Sequence, residues 1–393
     1  MTHLEPKAAQ EEGVRNWPVT LTLGLTFLFA VTLVPWYGFT VGFSGWAWAF
    51  FGLFMILTGV GIGSGYHRLW SHRAYEASPA LQWFLAIVGG MSLQNSILIW
   101  SARHRVHHRY VDDNDKDPYS IGRGFWFAHV GWMLRDYRSG EVDYSVVPDL
   151  QKNEIVMWQH RHYLELVLAT NILLPLGLGF LVGDPIGVFL LAGLARLVLN
   201  HHFTFFINSL AHMWGNQPYT DENTAKDNWF LSIFTYGEGY HNFHHIFQSD
   251  YRNGIRWYAI DLNKWFIAVA SSLGLARGLR RTPQFKILRA RLHMDFKRAR
   301  ERLAQDPANP RWKELLDTLE TEYAQYLSTI KAWQSLQMEK VQAGKQRFAD
   351  GRQRLADGKQ RLADKVDASY RELELALKMQ RKRVAMLTAQ VHI

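Results

Sequence analysis

Three short histidine-rich stretches constrain the fold of this chain more than any other feature. They read HRLWSH at residues 67–72, HRVHH at 104–108 and HNFHH at 241–245. In the second and third stretches the histidines stand at positions i, i+3 and i+4, so their imidazoles share one face of a helix. In the first stretch, positions i and i+5 lie about 140° apart on a helix, and this pair fits best where a helix ends. Each spacing is typical of metal ligands.

The eight histidines of these stretches predict two bound ions. They are too many for one ion, since a structural zinc site takes four ligands. The chain contains no cysteine, so thiolate sites and iron–sulfur clusters are excluded. A surface histidine tract explains one such stretch but not three. We therefore expect the three stretches to converge in the folded protein.

Four apolar segments are long enough to cross a bilayer. They cover Trp17–Trp36, Phe43–Tyr66, Leu166–Gly183 and Pro185–Phe206. Short links join the first segment to the second and the third to the fourth, whereas the other connections are rich in Arg and Lys. The positive-inside rule then places both termini and all the histidine stretches on the cytoplasmic side of the membrane.

Two further apolar runs are expected not to span the membrane. If Pro79–Trp100 crossed it, the stretch at 104–108 would lie about 30 Å from the stretch at 67–72, and one metal centre could not use both. Trp257–Leu275 is interrupted by charged residues, so we expect both runs to be interfacial or covered by protein. The charge of Arg196, within the fourth segment, is expected to face the interior of the helix bundle or a polar cavity.

The two ends of the chain differ from the apolar part. Residues 1–16 are polar and show no cleavable signal peptide. Residues 283–393 carry 23 Lys and Arg against 14 Asp and Glu, which leaves 21 of each sign for residues 1–282. The composition predicts a charged helical C-terminal extension, with a seven-residue word repeated at 345–365. A solvated or surface-lying helix is the simplest interpretation of that repeat.

Several words around the histidines carry a family resemblance. They are HRLWSHRAY at 67–75, RHRVHH at 103–108, FAHVGW at 127–132, NSLAH at 208–212 and GEGYHNFHH at 237–245. The chain resembles the membrane acyl-CoA delta-9 desaturases, whose animal members are the stearoyl-CoA desaturases, over roughly residues 17–282. The resemblance implies an all-α integral membrane protein, with four transmembrane helices and a cytoplasmic helical cap that holds the histidines.

The resemblance also implies particular site residues. Nine histidines would bind two iron ions, with Asn208 reaching a metal through water: His67, His72, His104, His107, His108, His212, His241, His244 and His245. The acyl chain and its carrier would contact Met55, Gly59, Gln94, Asn95, Trp100, Thr204, Phe205, Arg135 and Arg138. Among these, Met55 and Gly59 are expected near the far end of the acyl tunnel. His129 would orient a ligand or be structural, and His201 and His202 are expected outside the site.

The implied activity is the O2-dependent insertion of a cis double bond, at the delta-9 position, into a stearoyl or palmitoyl chain carried by CoA. Removing hydrogen from an unactivated chain exceeds what side-chain acids and bases can do, so a metal centre must supply the oxidising power. Two electrons are needed from an external donor: a b-type cytochrome, a ferredoxin or a rubredoxin with its reductase. The lipid bilayer is the other expected partner, and no nucleic acid is expected.

Three alternatives remain open from the sequence. The acyl chain could be carried by another carrier or a phospholipid, or the enzyme could be a hydroxylase of the same superfamily. A membrane metal-binding protein without enzymatic activity is the third. Soluble carboxylate-bridged di-iron proteins are disfavoured, because they use two Glu-x-x-His motifs and only Glu238-x-x-His241 occurs near the histidine stretches.

Overall fold

The structure is a computed structural model, and it describes residues 13–304 and 310–349 together with 368–369, 371–373, 375–380, 382–383 and 386–387. Most of the polar N-terminal segment and the repeated words from residue 350 onward lie outside the described residues. The chain divides into two compact units. One comprises residues 1–217 and 221–281, and the other comprises residues 218–220 and 282–393.

Four helices of the first unit are long and apolar enough to cross a membrane, which confirms the predicted number. Span 1 is Trp17–Thr40, span 2 is Gly45–Ser71, span 3 is Tyr163–Val182 and span 4 is Pro185–His212. The mean hydropathy of their apolar windows is 1.4 to 1.9. Spans 2 and 4 are the more buried pair, and both end at histidines of the predicted site.

Spans 2 to 4 contain wide π-helical turns between regular α-helical parts. The α-helical segments are Gly45–Val60, Tyr163–Leu168, Leu174–Val182, Pro185–Val188 and Arg196–Asn208. The π-helical segments are Gly61–Ser71, Ala169–Leu173 and Phe189–Ala195, and Leu210–His212 is a short 3-10 helix. In a π turn each N–H bonds to the carbonyl five residues earlier. The longest such segment, Gly61–Ser71, contains the first histidine stretch up to the residue before His72.

Arg196 faces the interior of the bundle, as its position in span 4 predicts. It is fully buried and donates hydrogen bonds to the backbone oxygens of Ala192 and Met91 and to Oδ1 of Asn171. All three acceptors are neutral, and they stabilise the guanidinium without a paired charge. The Met91 bond attaches span 4 to the chain that follows helix Pro79–Gly90.

The two shorter apolar runs do not form spans, as predicted. Residues 79–100 contain helix Pro79–Gly90 and the start of helix Ile97–Tyr110, separated by a sharp break. Within the break Leu93 and Asn95 adopt φ angles of 52° and 73°, a left-handed conformation that is costly for non-glycine residues. The break turns the chain back, so the second histidine stretch lies on the same side as the first. The other run contains the 11-residue helix Leu262–Ser272.

Short elements complete the first unit. The remaining helices are Ile121–Arg123, Phe127–Gly131, Trp132–Leu134, Arg138–Gly140, Tyr144–Val146, Pro148–Gln151, Glu154–Arg161, Trp229–Phe234 and His241–Ile246. Two antiparallel strand pairs join Val14–Arg15 to Arg135–Asp136 and Glu76–Ala77 to Ala276–Arg277. The first pair fixes the start of span 1 to the segment that follows Trp132–Leu134.

Polar caps set where the main helices begin. The side chains of Asn16, Ser44, Ser78, Ser96 and Asp261 each accept a hydrogen bond from a backbone N–H in the first turn of the following helix. Such caps satisfy donors that a helix leaves unpaired at its N-terminus. The Ser96 cap is therefore a local reason for the break before helix Ile97–Tyr110. The burial of this break depends on tertiary packing.

The second unit has a hydrophobic core of its own. Its helices Gln284–Leu303 and Pro310–Ala349 pack together, and Leu292, Leu319 and Tyr326 are almost completely buried. Tyr326 also donates a hydrogen bond to the backbone oxygen of Arg289, at 3.0 Å. The described helices of the extension are therefore packed against one another rather than surrounded by solvent.

Candidate metal centre

The nine predicted histidines converge into two groups in the folded chain. The five-histidine group comprises His67, His72, His104, His108 and His244, and the four-histidine group comprises His107, His212, His241 and His245. Within each group one ring nitrogen per residue lies within 4.8 Å of all the others. Each group draws on at least two of the three histidine stretches, so only the folded chain assembles it.

Neighbouring Nε2 atoms are closely spaced in both groups. In the five-histidine group, the His67–His244 and His244–His108 pairs are 2.9 Å apart and the His72–His104 pair is 2.8 Å apart. In the four-histidine group the corresponding distances are 3.0 Å for His245–His241, 3.1 Å for His241–His212 and 3.4 Å for His107–His245.

These distances fit the ligands of a metal ion. Metal–nitrogen bonds to imidazole are about 2.1 Å long, so adjacent ligands around one ion stand roughly 3 to 3.4 Å apart. Each hydrogen bond between neutral imidazoles joins one donor nitrogen to one acceptor nitrogen. Such bonds do not explain why four or five ring nitrogens meet at one point. The donor set is all imidazole, which suits iron, copper, zinc and nickel.

The first stretch reaches its geometry through the π-helical segment Gly61–Ser71. The N–H of His72 bonds to the backbone oxygen of His67 at 3.0 Å, so the i, i+5 pair is one turn apart. Their ring centroids are 4.7 Å apart. The helix ends at Ser71, as the spacing predicts, but the separation of about 140° expected for an α-helix is removed by the wider turn.

Carboxylates contact the Nδ1 atoms of two of the imidazoles, whose Nε2 atoms face the metal sites. Nδ1 of His67 lies 3.0 Å from Oε2 of Glu238, and Nδ1 of His107 lies 2.9 Å from Oδ1 of Asp117. A third imidazole, that of His212, has its Nδ1 2.7 Å from Oγ1 of Thr224. Such partners fix the ring orientation and leave Nε2 free to bind a metal. One carboxylate-backed imidazole thus belongs to each group.

The carboxylate of Glu238 is itself part of a buried network. Arg68 donates to Oε1 of Glu238 at 2.8 Å and also contacts Asp261 at 2.9 Å, while Asn253 donates to Oε2 at 2.6 Å. Burial alone would raise the pKa of the Glu238 carboxyl, but the charges of Arg68 and His67 and the hydrogen bonds from both together outweigh burial and lower that pKa to about 2. Glu238 is therefore ionised at neutral pH.

Burial holds most histidines of the two groups in their neutral form. Burial, reinforced by the neighbouring imidazoles, lowers the pKa of six of them well below the usual value: His72, His104, His108, His241, His244 and His245. Neutral imidazole is the form that binds metal ions. The protein therefore presents ligands that need not lose a proton at neutral pH.

A large cavity of about 510 Å³ adjoins the histidines. Its wall includes His67, His104, His107 and His241. Seven residues that the sequence assigns to the site line it as well: Gln94, Asn95, Trp100, Arg135, Thr204, Phe205 and Asn208. Span 1 contributes Val19, Thr22 and Leu23. The volume falls within the range of small-molecule sites in proteins.

The other predicted substrate residues lie elsewhere. Gly59 lines a small cavity next to the large one. Met55 and Arg138 line neither cavity among the residues that the structure describes. Sδ of Met55 faces the side-chain amide of Asn200 at 3.0 Å, and Arg138 begins the short helix Arg138–Gly140.

His129, His201 and His202 lie outside the two metal groups. Nδ1 of His129 is 3.0 Å from Oγ of Ser209, and Nε2 is 3.0 Å from Nδ1 of His202. Partial burial and the nearby His202 lower the pKa of His129 to about 4. His201 bonds to the backbone oxygen of Ser92. His129 thus supports span 4 beside Asn208 and contacts no histidine of the two groups.

Sequence reasoning missed the residues that orient the histidines. Asp117 follows the second stretch among five acidic or amide residues, 112–115 and 117, and nothing in the spacing distinguishes it. Glu238 stands three residues before His241. In the sequence this spacing served only to disfavour soluble carboxylate-bridged di-iron proteins. Thr224 and its partner Asp112, whose Oδ1 is 2.7 Å from Oγ1 of Thr224, have no sequence signal.

Comparisons with known proteins agree with this architecture. The family model for fatty acid desaturases matches residues 44–268. The probable acyl-CoA desaturase of Schizosaccharomyces pombe is 44% identical over 287 residues, which are 72% of this chain and 60% of that protein. Acyl-CoA desaturase 1 of Saccharomyces cerevisiae is 42% identical over 248 residues, 63% of this chain and 48% of that protein.

An animal protein is similar over a comparable share of the chain. The stearoyl-CoA desaturase of Bos taurus is 35% identical over 289 residues, which are 72% of this chain and 78% of that protein. The chain spans about half to three fifths of the length of the two yeast relatives. In all three comparisons the match covers about two thirds or more of this chain.

Proposed function

This chain belongs to the fatty acid desaturase family, and on that premise we propose that it desaturates long-chain acyl-CoA. The reaction inserts a cis double bond, at the delta-9 position, into a saturated chain such as palmitoyl or stearoyl. One observation carries the proposal: nine imidazoles converge in two groups, and four of them line one large cavity within a membrane protein. Two hydrogen atoms leave the chain, two electrons come from the donor and two protons from water, and O2 becomes two molecules of water.

The metal is proposed to be iron, with one ion held by each histidine group. His67, His72, His104, His108 and His244 would hold the first ion. His107, His212, His241 and His245 would hold the second, and Asn208, which lines the same cavity as His107 and His241, would contribute through water. When bound, the two ions supply the capacity to reduce O2 and to remove hydrogen from an unactivated methylene. Glu238 and Asp117 keep His67 and His107 oriented for this binding.

The large cavity is proposed to hold the acyl chain. Trp100 stacks on His104 with ring centroids 4.7 Å apart, so this part of the wall lies against the metal ligands. Gln94 donates a hydrogen bond to Thr204 at 2.9 Å, which joins the break after helix Pro79–Gly90 to span 4. A fixed wall determines which methylene faces the metals, because neighbouring methylenes are chemically almost identical.

The carrier is proposed to bind at Arg135 and nearby polar groups. Arg135 lines the cavity and donates to the backbone oxygen of Gly13 at 3.0 Å, so its position is fixed by the first strand pair. Arg103 also lines the cavity and lies over the ring of Trp132. These two guanidiniums suit the phosphates of CoA. Phe205 also lines the cavity. A tryptophan at this position would have an indole N–H that could donate a hydrogen bond to the acyl carbonyl, and the phenyl ring of Phe205 has no such donor.

The histidine side of the membrane is proposed to be cytoplasmic, where acyl-CoA and the electron donor are found. The excess of Arg and Lys in the segments on that side supports this orientation. Because the chain has no cysteine, single-cysteine variants report on one position each. A cysteine replacing Asp113 should be protected from an impermeant thiol reagent in intact cells, and one replacing Val41 should react. The reverse pattern would overturn the orientation.

The electron donor is proposed to be a separate one-electron carrier that approaches the five-histidine group. His72 and His108 are the partly exposed members of that group, while the others are buried. Electrons would therefore reach the metals by the shortest path from solvent near these two rings.

Expression in a host that lacks its own desaturase tests the function. We expect monounsaturated acyl chains with the double bond at the delta-9 position to appear in the host's lipids. A variant with both His107 and His245 replaced by Ala should produce none at equal protein abundance. Hydroxylated chains instead of unsaturated ones would identify a hydroxylase, and unchanged lipids together with bound metal would favour a metal-binding protein.

A further inference from the structure

A small cavity continues the large one beyond the Gln94–Thr204 hydrogen bond. Both cavities are bounded by Ile62, Gly63, Gln94, Thr204, Ile207 and Glu238. The small cavity has a volume of only about 20 Å³ and reaches Gly59 in span 2 and Tyr236 in the segment before the third histidine stretch. An acyl chain that fills the large cavity and extends beyond the Gln94–Thr204 hydrogen bond therefore enters a space with almost no free volume.

The ring of Tyr236 fills the place where a side chain at residue 59 would lie. A Cβ added at Gly59 would be 2.5 to 2.6 Å from Cδ2, Cε2 and Cζ of Tyr236. Contacts that short do not occur between carbon atoms in well-packed proteins. The missing side chain of Gly59 thus allows the tyrosine ring to pack directly on the backbone of span 2.

Several interactions hold Tyr236 in this position. Its hydroxyl donates a hydrogen bond to Oδ1 of Asn200 at 2.8 Å, and its backbone oxygen accepts one from Nδ2 of Asn263 at 3.0 Å. The backbone of Tyr236 has a φ of 56°, a left-handed conformation that is unusual for an aromatic residue. Such strain persists only where the surroundings determine the conformation, so the ring is a fixed part of the wall.

We propose that Tyr236 determines chain length by closing the far end of the acyl site, so that palmitoyl is preferred to stearoyl. The proposal rests on the desaturase function proposed above. Two additional methylenes can enter the small cavity only if the ring moves, and the hydrogen bond to Asn200 and the contact with Gly59 oppose that movement. Tyr236 contacts no histidine of the two metal groups in the described structure, so it acts on selection of the chain rather than on chemistry.

Competition between acyl chains tests this proposal in the full-length, iron-loaded protein. Equal amounts of palmitoyl-CoA and stearoyl-CoA are supplied with an artificial reductant, and the unsaturated products are quantified by mass spectrometry. The wild-type protein should form more palmitoleoyl than oleoyl product. Tyr236→Ala should raise the oleoyl-to-palmitoleoyl ratio by about tenfold, the order expected for a methylene or two in an apolar pocket.

Matched variants separate the ring from its hydroxyl and from general damage. Tyr236→Phe keeps the ring and should keep the wild-type ratio, whereas Tyr236→Leu should raise the ratio even if the Ala variant does not fold. Gly59→Ala should lower product from both chains, because its methyl group collides with the ring, and should be tolerated in the Tyr236→Leu background.

The possible results distinguish this proposal from the function on which it rests. If the wild-type protein forms no unsaturated product from either chain, the desaturase function is wrong. If it does form product but Tyr236→Leu and Tyr236→Ala leave the ratio unchanged, the acyl site ends elsewhere and the role of Tyr236 is refuted. A wild-type preference for stearoyl would refute it as well.

Discussion

Glu238 shows how a single side chain connects the metal site to the rest of the fold. One of its oxygens faces Nδ1 of His67, and the other accepts hydrogen bonds from Arg68. Arg68 is 1% exposed, so its charge must be balanced inside the protein. A buried cation that loses a partner is strongly destabilising, because it is left without water to solvate it. The same carboxylate therefore has a structural role and a positioning role.

We predict that Glu238→Ala lowers the free energy of unfolding by about 3–5 kcal/mol and reduces the iron bound by the five-histidine group. Arg68 would retain Asp261 but lose half of its anionic partners, and His67 would lose the acceptor that orients its ring. Thermal unfolding in detergent and metal analysis of the same preparation measure both effects.

A surface ion pair provides the matched control. Glu76 contacts Arg277 at 2.9 Å, with the two side chains 67% and 84% exposed. Glu76→Ala should therefore cost about 0–1 kcal/mol and leave iron content unchanged. Equal stability and equal iron content in the Glu238 and Glu76 variants would show that the buried network does not support the site.

Individual ligands give a second prediction at this scale. Replacement of His72, His108 or His245 by Ala should lower activity by more than about 100-fold and reduce bound iron, because losing a ligand exceeds the effect of losing its support. The proteins should still insert into membranes. His162, outside both groups and half exposed, is the control: His162→Ala should keep full iron content. Wild-type activity in any of the three variants would remove that residue from the site.

The histidines were predictable from the sequence, whereas their partners were not. Eight of the nine stand in short repeated spacings, and His212 was assigned only by resemblance. Asp117 and Glu238 act across 10 and 171 residues of chain, on His107 and His67. The fold can bring a carboxylate to a histidine ring from any distance along the chain. Sequence spacing alone therefore does not identify such a carboxylate.

At the scale of elements, the close approach of two helices supports the first histidine stretch. Gly61 begins the π-helical segment, and a Cβ added there would be only 2.7 Å from Cα of Gly89, in helix Pro79–Gly90. On the other side, a Cβ on Gly89 would meet the ring of Tyr66. The two glycines allow the backbones to touch, and this contact fixes the turn that carries His67.

We predict that Gly61→Ala destabilises the protein by about 1–3 kcal/mol, the usual cost of adding volume to a packed interior, and lowers iron content. The added methyl group would push helix Pro79–Gly90 away from span 2. Gly52→Ala is the control in the same span, since a Cβ there has no neighbour within 4 Å in the described structure. Unfolding temperature and iron content should distinguish the two. Similar behaviour of both variants would contradict the account of the helix contact.

The sequence predicted the spans well but not their internal turns. Apolar length and flanking residues identify a membrane helix. Pro79–Trp100 was correctly placed outside the set of spans for another reason, because one metal centre must use the histidine stretches on both sides of it. The π turns and the left-handed residues Leu93 and Asn95 depend on tertiary packing. Local propensity favours neither conformation, so no sequence pattern indicates them.

On the scale of the whole molecule, charge is divided unevenly. Residues 1–282 carry 21 residues of each sign, and residues 283–393 carry the whole excess of +9. In the proposed orientation this basic segment lies on the cytoplasmic side, where it would attract anionic lipid headgroups, at about 1 kcal/mol for each Lys or Arg near the surface. Acidic electron carriers respond to the same field. We therefore expect the C-terminal extension to support surface docking or self-association rather than chemistry.

A chain that ends after Thr282 tests the role of the extension. It should keep its metals and its double-bond position, because the spans and all nine histidines lie within residues 17–245. With the natural donor it should turn over more slowly and respond less to salt, since fewer charges are screened. An artificial reductant should restore the rate. Identical rates at every salt concentration would contradict the docking role, and loss of metal would make the extension part of the fold.

The central claim is that the two histidine groups bind iron and use O2 to desaturate an acyl chain. The most direct test measures O2 consumption and product together, in the purified full-length protein with palmitoyl-CoA and a reductant. We predict one monounsaturated chain, lighter by two hydrogens than the substrate, for each O2 consumed, and no product from the iron-free protein. A product heavier by one oxygen, or O2 consumption without any change in the acyl chain, would contradict the account.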